Sequence, residues 1–84
     1  MMEMERLRGA LDMRKIKWED ASEEWISRTW FTINGNKWSV INGSFSYGGP
    51  EGLLELMTNA VNDGDPIGWL TADEVMAYVE KEVT

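Results

Sequence analysis

Two Asn-Gly pairs set in β-type sequence constrain this chain more than any other feature. Asn34-Gly35 lies between the runs 28–33 and 37–41, and Asn42-Gly43 lies between that second run and 44–47. Asn-Gly supplies the positive φ angles of a type I′ turn, whose twist matches that of paired strands. Pairing across both turns puts Phe31, Ile33, Trp38, Val40, Phe45 and Tyr47 on one face. Trp30, Thr32, Ser39, Ile41, Ser44 and Ser46 fall on the other. The pattern predicts a three-stranded antiparallel meander with the first set turned inward.

After Gly48-Gly49 the period changes from two to about 3.6. Pro50 suits the first position of a helix, and Leu53, Leu54, Leu56, Met57, Ala60 and Val61 form an apolar stripe, which predicts a helix stopped by Asp63-Gly64. Thr71-Ala72-Asp73-Glu74 is a capping box that opens a second helix with Val75, Met76, Val79 and Val83 inward and Tyr78 at the margin. A sheet of three strands exposes its apolar face unless something covers it, so the two C-terminal helices are expected to pack there. The expected fold is α+β in two layers, with Arg14–Trp18 as a candidate fourth, N-terminal edge strand and Glu19–Glu24 as a polar connector. Residues 1–13 read as a flexible or frayed segment, with Met13 as an equally good start, and 14–84 as a single compact domain.

Composition excludes several kinds of chemistry. The 84 residues contain no Cys and no His, so disulfides, thiolate nucleophiles, imidazole bases and His-ligated metals are all ruled out. Glu51 and Glu55, four apart on the expected helix, read as a solvated face rather than an acid–base pair. The glycines at 43, 48, 49 and 52 match neither a Walker loop nor a dinucleotide fingerprint. The chain is not expected to be an enzyme. It has no apolar run near the roughly 20 residues that span a bilayer and no secretory leader pattern at its start, so a cytoplasmic protein without membrane contact is expected.

Net charge is −7 and uneven: residues 1–42 hold seven basic and seven acidic residues, whereas 43–84 hold one basic residue against eight acidic. Such a surface repels nucleic-acid phosphates and steers basic partners, so direct nucleic-acid binding is not expected. The favoured expectation is a protein–protein interaction module. Its candidate surfaces are the acidic set Glu51, Glu55, Asp63, Asp65, Asp73 and Glu74, and the sheet-face set Trp30, Thr32, Ser39 and Ile41. Five Trp residues make an aromatic hot spot attractive on the sheet face, unless Trp18 or Trp25 folds over it. A homo-oligomer would use the same surface.

Two resemblances add alternatives. In size, charge and element order, though in no motif, the chain resembles phage-encoded inhibitors such as some anti-CRISPR proteins. That resemblance implies an acidic surface that mimics nucleic acid. Separately, Asp63, Asp65, Gly68, Leu70, Thr71 and Glu74 fall at positions one, three, six, eight, nine and twelve of an EF-hand loop. That resemblance implies calcium held by Asp63, Asp65, Trp69, Thr71 and Glu74, although Ile67 stands where a fifth-position ligand is expected and Pro66 stiffens the loop. Otherwise no cofactor is implied.

Overall fold

The computed structural model describes residues 2–84. Along the chain run α1 (Glu3–Met13), β1 (Trp18–Asp20), β2 (Ile26–Ile33), β3 (Asn36–Gly43), β4 (Leu54–Thr58), β5 (Ile67–Leu70) and α2 (Ala72–Val83). The five strands form one antiparallel sheet in chain order, a meander. An N-terminal and a C-terminal helix lie together on one face of it, so the α+β class holds while the composition of both layers differs from expectation.

The β2–β3 hairpin forms as its turn dictates. Asn34 and Gly35 have φ of 52° and 83°, and the register pairs Ile33 with Asn36 and Phe31 with Trp38. Phe31, Ile33, Trp38 and Val40 are buried, and the Phe31 and Trp38 rings stack with centroids 5.6 Å apart.

The second Asn-Gly pair behaves otherwise. Neither Asn42 nor Gly43 adopts positive φ; both continue β3, and Gly43 pairs with Ile26. The Asn42 side chain donates to the Leu53 carbonyl at 3.0 Å, and the Ser46 hydroxyl both accepts from Gly43 N–H and donates to Gly43 O, each at 2.9 Å. These side-chain bonds turn the chain where a hairpin was expected. Residues 44–47 are therefore not a strand, and Phe45 and Tyr47 are exposed rather than core.

The first expected C-terminal helix is instead a turn and a strand. Pro50 lies in a short 3-10 turn, Gly49–Glu51, flanked by Gly48 and Gly52 at positive φ. The run Leu54, Leu56, Thr58 satisfies a period of two as well as 3.6, and β3 offers it an open edge. Pairing of Val40 with Leu56 and Trp38 with Thr58 completes backbone hydrogen bonding and buries all four side chains.

Cover for the sheet comes from the N-terminus, where residues 3–13, expected to be flexible or frayed, form α1 with Met4, Leu7 and Leu11 buried. Its end is a Schellman motif: Ile16 N–H bonds Leu11 O, Lys15 N–H bonds Asp12 O, and Lys15 takes the left-handed position at φ 60°. This exit delays the edge strand, so β1 covers 18–20 rather than 14–18. At the other end of the chain, α2 opens with the expected box: Thr71 Oγ1 accepts from Glu74 N–H, and Glu74 Oε1 accepts from Thr71 N–H at 2.9 Å. Val75 and Val79 are buried as expected, joined by Ala72, whereas Val83 is half exposed.

The helices run side by side in the same direction. Glu3 Oε1 accepts from Ala72 N–H at 2.7 Å, Arg6 meets Asp73 at 3.5 Å, and Arg14 pairs with Glu80. Arg8 ties this layer to the sheet, donating to Thr29 Oγ1 at 2.7 Å, Arg28 O and Asp20 while lying 4.7 Å from the Trp18 ring centroid. Thr29 is fully buried, and Arg8 supplies its polar partner.

Candidate partner-binding face

Strand alternation sends every second side chain away from the helices. Register places Trp30, Ser39 and Met57 in one outward row and Arg28, Ile41 and Glu55 in the next. Trp30, Thr32, Ser39 and Ile41 therefore share the outer face, on the side opposite α1 and α2. Trp18 does not shield it: Trp18 is aligned with Phe31 in the inward row, and its indole N–H donates to Asp12 at 2.8 Å. Trp30 is not bare, because Lys37 Nζ lies 3.3 Å from its ring centroid and Arg28 lies 6.0 Å away.

Trp25 and Phe45 lie toward the opposite end of this face from Trp30, and Met57 lies in the Trp30 row. Trp25, 78% exposed, sits at the tip of the tight turn in which Glu23 and Ile26 exchange backbone hydrogen bonds. Phe45 is fully exposed on the loop after β3, and Met57 is exposed on β4. Trp69 interrupts the β4–β5 ladder at φ 56°, where the register shifts by a bulge, and it is 58% exposed. Tyr47 stacks on it with centroids 5.6 Å apart and planes within 5°.

The loop that carries Phe45 and Tyr47 is fixed at several points. Tyr47 N–H donates to Glu55 Oε1 at 2.7 Å, and Tyr47 O accepts from Trp69 N–H at 3.1 Å. Gly68 lets the loop approach, since any Cβ there would collide with Tyr47 Cβ. Between this loop and the Trp25 turn lies a hollow of about 450 Å³ lined by Trp25, Ile26, Ile41, Phe45 and Glu55. A second, larger groove of about 780 Å³ at the Trp30 end is lined by Lys15, Lys17, Lys37 and Thr32.

The acidic set does not sit on one element. Glu51 lies in the 3-10 turn, Asp63 and Asp65 in and after the 3-10 turn Asn62–Gly64, and Asp73 and Glu74 at the start of α2. Asp73 is engaged by Arg6 and Glu74 by the cap, while Glu55 is only 8% exposed on the outer sheet face. The EF-hand resemblance lacks its frame: β4 stands where the entering helix should be, and residues 67–70 of the loop are β5. Trp69 is thus a strand residue, and the Glu74 carboxylate turns back on Thr71. Among the described residues no group of three or more acidic side chains is placed to hold a metal ion.

Trp25, Phe45, Tyr47, Met57 and Trp69 were not among the sequence candidates for this face. A second type I′ turn predicts Phe45 and Tyr47 inward, the 3.6 period places Met57 on a helix, and the EF-hand resemblance places Trp69 in a calcium loop. Among the described residues no helix is long and apolar enough to cross a membrane. Comparison with protein-family models, with curated proteins and with solved structures finds no match to this chain.

Proposed function

We propose that this protein is a non-enzymatic interaction module that docks a protein partner on the outer face of its sheet. The observation that carries the reading is the set of exposed apolar side chains on and beside the outer sheet face: Trp25 and Phe45 border Ile41 and Glu55, Met57 stands in the Trp30 row, and Tyr47, bonded to Glu55, stacks on Trp69. Aromatic side chains each bring about 150–250 Å² to a contact, so four largely exposed ones supply much of the ~800 Å² per partner that a specific interface buries. Aromatics dominate interface hot spots, and a loop already fixed by Glu55, Trp69 and Gly43 loses little entropy on binding. The acidic set gives weaker support to nucleic-acid mimicry, because Asp73, Glu74 and Glu55 are engaged or buried within the fold. A cytoplasmic setting belongs to the same reading.

Phe45→Ser and Trp69→Ser test it, since both side chains are outside the core. Each is expected to weaken capture of the partner, or self-association measured by light scattering, by about tenfold or more. The melting temperature should stay within a few degrees of the parent. Undiminished association in both variants would overturn the reading.

A further inference from the structure

The hollow beside Phe45 contains a group that an apolar docking site would not need. Glu55 lines it, is 8% exposed, and receives one hydrogen bond, from Tyr47 N–H to Oε1. Among the described residues Glu55 makes no ion pair. The nearest candidate on the sheet is Arg28, in the same cross-strand row beyond Ile41, and it is committed elsewhere. Its guanidinium donates to Glu23 at 3.3 Å and to Ala21 O at 3.5 Å and faces the Trp30 ring. This largely covered carboxylate has one backbone donor and no cation of its own, and it lines the hollow, so a cation arriving with a ligand would be its first charge partner.

The walls specify what kind of cation. Trp25 and Phe45 present aromatic surface, Ile26 and Ile41 supply an apolar lining, and Glu24 is exposed beside Trp25. A planar guanidinium suits such a hollow. It stacks on aromatic faces, forms directed hydrogen bonds to a carboxylate, and is more weakly hydrated than an ammonium. We infer that the hollow between Trp25 and Phe45 receives an arginine side chain of a basic protein partner, with the Glu55 carboxylate as its counter-charge. This inference rests on the docking face proposed above and names the partner chemistry at its centre. The net charge of −7 favours the approach of a basic partner.

The test uses the full chain and the capped tripeptide acetyl-Gly-Arg-Gly-amide, with the same peptide carrying citrulline, which keeps the shape and removes the charge. The Tyr47 backbone amide reports directly, because its N–H is bonded to Glu55. The arginine peptide should move the Tyr47 amide resonance saturably, and the citrulline peptide should bind at least about tenfold more weakly. Glu55→Gln, which keeps an acceptor for Tyr47 N–H, should abolish the preference for arginine. Phe45→Ala removes a fully exposed ring and should weaken arginine binding without unfolding the chain. A response that does not saturate, equal binding of citrulline, or arginine preference surviving in both variants would overturn the assignment. If the peptide fails while Phe45→Ser or Trp69→Ser still disrupts partner binding, the arginine assignment falls and the docking face stands. If those substitutions leave partner binding intact, the docking face falls regardless of the peptide.

Discussion

Lys15 holds a conformation that its side chain disfavours. It occupies the left-handed position that ends α1, where glycine is usual because a Cβ costs about 1–2 kcal/mol there. Glycine would remove that penalty but enlarge the unfolded ensemble, at a cost of about 0.5–1 kcal/mol. Lys15→Gly is therefore expected to raise stability by about 0.5–1 kcal/mol, read as a melting temperature a few degrees higher. An unchanged or lower melting temperature would contradict this account of the helix end. Asp20 contributes a pH dependence to stability at the same scale. Hydrogen bonds from Ser22 hold its carboxyl below the ordinary 3.8, opposed by a little desolvation and reinforced by Arg8. A lowered folded pKa stabilises the protein above the ordinary value, and the benefit is lost as pH falls from there through the folded value. Asp20→Asn should therefore give a shallower loss of stability with acid below about pH 4 in denaturant titrations, and an identical slope in both proteins would refute it.

At the scale of elements, α1 is the part whose loss matters most. It places Leu7 and Leu11, both fully buried, against the inner sheet face, and truncating either to Ala should cost about 2–5 kcal/mol. Small domains have only about 5–15 kcal/mol in total, so a chain beginning at Met13 should show no cooperative thermal transition. A sharp melt in that shortened chain would show the helix to be dispensable. The same helix shows what was hard to read. Met2 stands where a capping side chain would announce it, and Lys15 stands where glycine would close it. By contrast, α2 was legible because Thr71 and Glu74 signal its start, and the β2–β3 hairpin because Asn34-Gly35 takes the expected angles. The identical dipeptide at 42–43 does not turn, since the bonds that redirect the chain involve Ser46 and Leu53, the latter eleven residues after Asn42. Leu54–Thr58 fits either period, and only the open edge of β3 selects strand. On the candidate face, Trp30 and Ile41 followed from local alternation. Phe45, Tyr47 and Trp69 depend on a loop and a bulge that distant contacts create.

For the whole molecule, separation of charge along the chain is partly undone in space. The neutral first half, which holds all but one of the basic residues, and the acidic second half meet where Arg6 and Arg14 of α1 reach Asp73 and Glu80 of α2. Such exposed pairs each contribute about 0–1 kcal/mol, so their effect is on orientation more than on stability. The division of labour is between faces: one side of a single sheet carries the entire helix layer, and the other keeps its aromatics in solvent. Glu3 supplies a last consequence. Its carboxylate meets the amide of Ala72, 69 residues later, so α1 finds its helical neighbour only after the whole sheet between them has been made. A chain that lacks α2 holds an unfinished core, so the helix layer is a long-range feature that closes late in folding.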